Sequence, residues 1–241
     1  MRSLSIIIPA FNEESRLPGT IEALKRYFGT QKFDFLEVVV VDDGSRDGTA
    51  ALVERTAAIW PVMRLLSNPG NRGKGYSIRH GMLDAKGDWV LFTDADLSTP
   101  IEEVEKLLAA VDRHHADVAI GSRALDRSLV SVHQSAMREL SGRFFNVVMR
   151  IATRLPFHDT QCGFKLFRRE AAQEVFCRVQ IDGLAFDVEA LFIARKRGYK
   201  TVDVPVRWAD VEGTKVSLAS GLKAFADLAR IRRNALRGLY R

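Results

Sequence analysis

Phe35-Leu-Glu-Val-Val-Val-Val-Asp-Asp-Gly-Ser-Arg-Asp-Gly48 runs from a nearly continuous apolar stretch into a polar, glycine-containing turn. A strand apolar on both faces must be covered on both faces, as a central strand of a parallel sheet is. Asp47 then stands where it can cap a helix running through Ile59. The same alternation extends outward in both directions. Leu4–Ile8 is a short β-branched strand, followed by a helix from about Ser15 with Pro18 in its first turn. Val62–Leu66 is a third strand, Gly75–Ala85 a helix and Trp89–Thr93 a fourth strand. Pro100 opens a helix to Val111, with Glu102 and Glu103 suited to its positive end, and Val118–Gly121 is a fifth strand. Strands alternating with helices predict an α/β fold, a mostly parallel, Rossmann-like sheet flanked by helices.

Ligands of such sheets bind beyond the carboxyl ends of the strands. The segments there read Pro9-Ala-Phe-Asn-Glu-Glu14, Asp42-Asp-Gly-Ser-Arg-Asp-Gly48, Asn68-Pro-Gly-Asn-Arg-Gly-Lys-Gly75, Asp94-Ala-Asp96 and Gly121-Ser-Arg123. One polar segment of this kind would mean little, but five in succession mark an active-site rim. After residue 125 the rhythm changes. Residues 135–154 have an amphipathic, basic helix pattern, and Phe164–Phe167 reads as a short strand. Helices are expected over Glu170–Phe176 and Phe186–Arg197, a strand over Val202–Trp208, and a last helix over Leu218–Leu239. There is no internal repeat and no linker, so a single domain over 1–241 is expected.

Composition sets the outer limits. The chain has 241 residues, 46% hydrophobic and 27% charged, which excludes a disordered or low-complexity protein. No stretch approaches the roughly 20 apolar residues that span a bilayer, and Leu4–Ile8 is too short for a signal-peptide core. Cys162 and Cys177 are too few for a disulfide scaffold and are expected as reduced thiols in the cytoplasm. The net charge is +6, and most of it lies in residues 217–241, where Lys223 and five arginines face Asp227 alone. A basic tail on a nearly neutral body fits an anionic surface, although a solvated helix face would look the same.

Asp94-Ala-Asp96 places two carboxylates at a strand end, where they can share a hard cation with water and substrate phosphates. In Asp42-Asp43 two adjacent carboxylates need donors, and one can shape the turn while the other meets a ligand. Gly70–Gly75 with Lys74 can offer backbone N–H groups and an ammonium to phosphate or ribose, but it has neither P-loop nor Gly-x-Gly-x-x-Gly spacing. His114, His115, His133 and His158 show no metal-ligand spacing.

Together, Ile6-Ile-Ile-Pro-Ala-Phe-Asn-Glu-Glu14, Val39-Val-Val-Asp-Asp-Gly-Ser45 and Thr93-Asp-Ala-Asp96 resemble the opening motifs of the family 2 glycosyltransferases, of GT-A fold. Asn71-Arg-Gly-Lys-Gly75, Gly121-Ser-Arg123, Asp159-Thr-Gln-Cys-Gly-Phe-Lys165 and Glu212-Gly-Thr-Lys215 narrow the resemblance. They look like the polyprenyl-phosphate sugar synthases, nearest to dolichyl-phosphate β-glucosyltransferases and then to the mannosyl enzymes. The resemblance implies a UDP- or GDP-sugar donor, Mg2+ or Mn2+, inversion at the anomeric carbon and a lipid phosphate acceptor. It divides the chain into a nucleotide-sugar-binding half, 1–123, an acceptor half, 124–216, with C-terminal acceptor-side helices, and a basic amphipathic helix, 217–241. It gives Pro9, Phe11, Glu13, Asp43 and Lys74 to the nucleotide sugar. It puts Asp94 between nucleotide and metal, and makes Asp96 the main metal ligand. Arg123, Arg138 and Lys215 fall to the donor and acceptor phosphates, and Asp159 with Arg123 to the reaction centre. Phe11 replaces a commoner Tyr, and Ser98 stands where some relatives have Gln.

A phosphate monoester has its second pKa near ~6 and arrives largely as a dianion. It needs cations to hold it beside an anionic donor rather than a general base, and the arginine-rich 127–154 segment suits that need better than it suits a neutral sugar. The membrane would then be met by the last helix. Its stripe of Leu222, Phe225, Leu228 or Ala229, Arg232, Leu236 and Leu239 could lie on lipid, on a membrane-protein partner or on the core. No nucleic-acid partner is expected. Three rival readings remain: a soluble family 2 enzyme acting on a glycan, a sugar-nucleotide pyrophosphorylase, and a non-catalytic nucleotide-binding module. Pro9-Ala-Phe-Asn-Glu13 counts against the pyrophosphorylase, which wants a glycine-rich, arginine-containing loop after its first strand.

Overall fold

The computed structural model describes residues 3–132, 149, 153–211 and 218–241. The strands are β1 (Ser3–Ala10), β2 (Phe35–Asp42), β3 (Met63–Ser67), β4 (Trp89–Thr93), β5 (Val118–Ser122), β6 (Val130–Val132), β7 (Phe164–Arg168), β8 (Thr201–Pro205) and β9 (Trp208–Ala209). The helices are α1 (Leu17–Phe28), α2 (Thr49–Ile59), α3 (Lys74–Asp84), α4 (Val104–His114), α5 (Arg169–Phe176), α6 (Phe186–Lys196) and α7 (Leu218–Leu236). The expected helix over 135–154 falls almost wholly outside the described residues.

Seven strands form one sheet in the order β3-β2-β1-β4-β7-β5-β8, and β6 and β9 pair separately. The expected parallel alternation holds from β1 to β4. The fifth strand, however, does not lie beside the fourth. β7 is inserted between them, antiparallel to both. Its direction matters for the site: an antiparallel strand starts where its neighbours end, so the chain before β7 enters at the carboxyl edge of the sheet. Residues 159–163 therefore reach the same edge as the loops after β1, β2 and β4.

The pleat separates two apolar layers. Leu4, Ile6, Ile8, Val38 and Val40 pack with Leu17 and Leu24 of α1 and Leu107 of α4. Ile7, Val39, Val41, Phe92 and Phe167 pack on the other face with Ile78, Phe176 and Phe186. These side chains are almost wholly buried, and each contributes on the order of 1.5–3 kcal/mol of transfer free energy.

Two local expectations shift. Asp47 lies one residue outside the α2 N-cap, and its carboxylate accepts from Thr49 N at 3.0 Å and Thr49 Oγ1 at 2.5 Å. Glu103 does more than face a helix dipole. It is buried and accepts from Arg207 Nε at 2.5 Å and Arg207 N at 3.1 Å, with Lys106 Nζ at 2.6 Å. Burial opposes its charge, yet Lys106 and Arg207 hold its carboxyl below the usual range. That anchor fixes the link between β8 and β9.

The last helix is rotated from the expected stripe. Asp227, Leu228, Ile231 and Asn234 are buried, and Leu228 and Ile231 join the core with Tyr240. Arg232 is exposed, as are Leu236 and Leu239. The side chains of Leu222, Lys223 and Phe225 lie outside the described residues. A stripe through Leu228, Arg232 and Leu236 would have put a guanidinium at the packed centre. The observed face replaces it with Ile231 and so avoids burying an unpaired charge.

Candidate active site

The two adjacent aspartates after β2 divide their work. Asp42 accepts from Ser45 N and closes its own turn. Asp43, also buried, reaches across to the loop before α3. Its carboxylate accepts from Asn68 Nδ2 at 2.8 Å, Arg72 N at 2.9 Å and Gly73 N at 2.8 Å. Asn68 Oδ1 in turn lies 2.8 Å from His80 Nδ1. After β1, Asn12 adopts a positive φ of 54° and ties the loops together: its N–H donates to Ser45 Oγ, and its side chain accepts from Arg46 N. Glu13 is clamped by Arg16 through Nε and Nη2, each at 2.7 Å, and this bond to Glu13 raises the Arg16 pKa.

The turn after β4 carries Asp94 and Asp96. Leu97 has φ 46°, a region uncommon for a residue that is not glycine, and it tightens the turn. Asp96 Oδ1 accepts from Ser98 N at 3.0 Å and Ser98 Oγ at 2.9 Å. Asp94 Oδ1 accepts from Lys74 Nζ at 2.5 Å. Burial works against the Lys74 charge, but Asp94, Asp187 and Asp96 together hold its pKa above the usual lysine value. On the other side of Asp94, the chain entering β7 comes so close that a Cβ on Gly163 would lie 2.2 Å from Asp94 Oδ2. Among the described residues no three histidine, cysteine or acidic side chains form a ligand cluster. The two carboxylates of Asp94 and Asp96 suit Mg2+ or Mn2+, which are commonly held by one or two carboxylates with water and substrate phosphates completing the shell.

Facing these acids is Arg123, just past β5. Its Nε donates to Asp159 Oδ2 at 2.6 Å and its Nη2 to Asp159 Oδ1 at 2.9 Å, with Trp208 stacked 5.3 Å away. Burial opposes both charges. The pair overcomes it, raising the Arg123 pKa and holding the Asp159 carboxyl below the usual range. Asp159 is only 2% exposed and lies beneath the arginine, so the group presented outward is the guanidinium.

These segments enclose a cavity of about 580 Å³. Pro9, Phe11, Glu13, Asp43, Lys74, Asp94, Asp96 and Arg123 line it, together with Ser98. Arg138 and Lys215 lie outside the described residues, as do Arg143, Arg150 and His133. Arg127 and Arg154 are exposed. His158 pairs with Asp203 at 3.1 Å. Both cysteines are free thiols, and burial pushes that of Cys162 up to about 11.

Sequence reading missed several members. Arg16, Gln161, Trp208 and Asp210 also line the cavity. Behind it, the fully buried Lys165 donates to Asp187 Oδ1 and to the Cys162 carbonyl, each at 2.5 Å. A lysine inside the apolar run Phe164–Phe167 was the available signal, because a buried ammonium requires a partner.

Residues 5–176 match the family Glycosyl transferase family 2. A dolichyl-phosphate beta-glucosyltransferase of Trichomonas vaginalis is 36% identical, over 95% of this chain and 72% of its own length. That of Homo sapiens is 36% identical over 100% of this chain and 78% of its own, and that of Saccharomyces cerevisiae is 34% identical over 99% and 76%. Among solved structures, glucosyl-3-phosphoglycerate synthase from Mycobacterium tuberculosis, in complex with Mn2+, UDP and glucosyl-3-phosphoglycerate, superposes with a TM-score of 0.67. It is 19% identical, with 95% of this chain and 80% of that chain covered. Mannosyl-3-phosphoglycerate synthase from Rubrobacter xylanophilus gives 0.69 at 20% identity, covering 98% and 75%. At such identities the likeness shows the fold.

Proposed function

The chain belongs to glycosyl transferase family 2, and from that premise we propose that it moves a glucosyl group from UDP-glucose to dolichyl phosphate. One observation carries the reading: acids from the β1, β2 and β4 loops face Arg123 across a single cavity, in a chain whose relatives bear the dolichyl-phosphate glucosyltransferase name. Phe11 and Pro9 offer apolar faces to the uracil and Asp43 an acceptor to the ribose. Lys74 serves the diphosphate, while the loop amides of Arg72 and Gly73 hold Asp43 in place. Asp94 and Asp96 would hold Mg2+ or Mn2+, whose charge would offset that of the departing diphosphate. The solved relative's complex with UDP and Mn2+ supports this assignment.

Transfer breaks the bond from the anomeric carbon to the diphosphate oxygen as an oxygen of the acceptor phosphate bonds to the opposite face. UDP leaves, and the configuration inverts. The acceptor is already ionised, so no residue need take a proton. Arg123 holds the incoming dianion, and Asp159 fixes the guanidinium. The test is radiolabelled transfer with UDP-glucose, GDP-mannose and UDP-N-acetylglucosamine against a short dolichyl phosphate and a free oligosaccharide. Glucose transferred from UDP-glucose to the lipid phosphate is the expected product. Transfer to the oligosaccharide alone would overturn the acceptor, and transfer only from GDP-mannose would overturn the donor.

No helix of the described residues is long and apolar enough to cross a membrane. Leu236, 88% exposed, and Leu239, 53% exposed, stand among the exposed Arg230, Arg232, Arg233 and Arg237. Leucines that can enter an interface beside arginines that reach headgroups make a peripheral contact with anionic lipid. Each arginine adds about 1 kcal/mol at such a surface. Reversing Arg233 and Arg237 to Glu should therefore weaken co-sedimentation with phosphatidylserine vesicles at least a hundredfold, by roughly 3 kcal/mol or more, with little change for neutral vesicles. Equal sedimentation of both forms at low salt would remove the contact and leave a membrane-protein partner as the occupant.

A further inference from the structure

The loop that carries Lys74 is held from behind. Gly75 N donates to the Asp182 carbonyl at 2.8 Å. The contact is so close that a Cβ on Gly73 would lie 2.7 Å from Asp182 O, and one on Gly75 would lie 2.6 Å from Ile181 O. Arg79 of α3 holds the same strap twice, donating to Val179 O and ion-paired with Asp182 Oδ1, each at 3.0 Å. The strap is then fixed to a single buried carboxylate. Glu189 Oε2 accepts from Gln180 N at 2.9 Å and from Ile181 N at 2.8 Å. Its other oxygen accepts from the hydroxyl of Tyr240, which itself takes a bond from Asn234 Nδ2 at 3.2 Å. Glu189 and Tyr240 are both 0% exposed. Near Tyr240 the chain is pinned again, with Arg178 Nε donating to Arg241 O at 2.9 Å.

A continuous series of bonds thus runs from the segment after α7, through Glu189 and the 179–182 strap, to the N-terminus of α3. There it meets the amides of Arg72 and Gly73 on Asp43 and the ammonium of Lys74 on Asp94. Nothing about packing requires this chain of contacts to end at the donor loop. The Tyr240 ring already fills its site against Phe192, at 6.1 Å between centroids. Its hydroxyl serves only Glu189 and Asn234 among the bonds described.

We infer that Tyr240 and Glu189 are positioning residues for the donor loop: through the 179–182 strap they set the placement of Gly73, Lys74 and Gly75 against the nucleotide sugar. The inference rests on the donor-site reading above for its kinetic consequence, but not for its structural one.

The test uses the full chain with Tyr240→Phe, which keeps the ring and removes the hydroxyl, and Glu189→Gln, whose amide can still accept from the strap and donate to the tyrosine. Amide hydrogen exchange is followed at residues 72–75 and 180–182. Initial rates are measured against UDP-glucose and, separately, dolichyl phosphate. Tyr240→Phe should speed exchange at both segments and raise the KM for UDP-glucose about 3- to 10-fold, the scale of one lost hydrogen bond, with the acceptor KM unchanged. Glu189→Gln should keep both close to the wild-type values. A Tyr240→Phe protein that melts earlier but keeps wild-type exchange at 72–75 and a wild-type donor KM would overturn the inference and leave Tyr240 a core residue only. If the wild type bound no uridine nucleotide, the donor-site reading would fail instead, and exchange at 72–75 would still decide the coupling.

Discussion

Asp96→Ala is expected to abolish transfer, by roughly 10³-fold or more, because losing the carboxylate proposed to hold the metal would remove several kcal/mol of charge stabilisation on the departing diphosphate. The fold should survive. Asp96 bonds Ser98, its near neighbour in the turn, and is not part of the apolar core. Two readouts separate the role from general damage. Mn2+ binding in the presence of UDP, followed by electron paramagnetic resonance, should disappear with the side chain, and the melting temperature should change little. Asp94→Ala should behave differently, since Asp94 also holds Lys74 at 2.5 Å and packs against the backbone at Gly163. Removing it frees an ammonium as well as a ligand. Near-normal turnover by Asp96→Ala would end the assignment of Asp96 as metal ligand.

The strands were legible because their signal is local. Val38–Val41 and Ile6–Ile8 are β-branched runs, and polar turn residues mark where each stops. The acids at the rim followed from that, since topology alone sends every parallel strand's end to one edge. Partnerships that join distant parts of the chain were not legible. Phe164–Phe167 read as a strand, but a period of two says nothing about which neighbours it takes, so the antiparallel insertion was unforeseen. Lys165 finds Asp187 on a different element, and Asp43 finds the amides of Arg72 and Gly73 on another loop. The packed face of the last helix was not legible for another reason. Its stripe through Leu228, Leu236 and Leu239 and the observed face through Leu228, Ile231 and Asn234 differ by a rotation of about 100°, one residue step, and both satisfy helical spacing. Only the packed partner chooses, and Glu189 and Phe192 beside Tyr240 supply it.

Asp159→Asn is expected to lower the rate at least tenfold without creating or removing an ionisation in the pH–rate profile. The reason is the state of the carboxylate. Burial alone would push its pKa up, but the Arg123 guanidinium, bonded through two nitrogens, holds it below the usual carboxylate range. A group already ionised across the working range takes no proton as a base unless the arginine lets go. The amide keeps one acceptor for the guanidinium but loses the charge, so Arg123 would tilt and hold the acceptor phosphate less well, and KM for dolichyl phosphate should rise with the fall in kcat. The pair also fixes the sign of the stability change with pH. A carboxylate whose folded pKa is depressed stabilises above its unfolded value, about 4, and that stabilisation is lost as pH falls through the folded value. Wild type should therefore lose stability relative to Asp159→Asn only in acid, below about pH 4, and keep a constant advantage above pH 5. The advantage should be about 1–3 kcal/mol, the scale of a charged hydrogen bond lost at a buried group. Denaturant melts of both proteins from pH 3 to 8 measure it. If the wild-type rate instead rises with a single ionisation near neutral pH that Asp159→Asn abolishes, Asp159 is the base, and the acceptor does not arrive ionised.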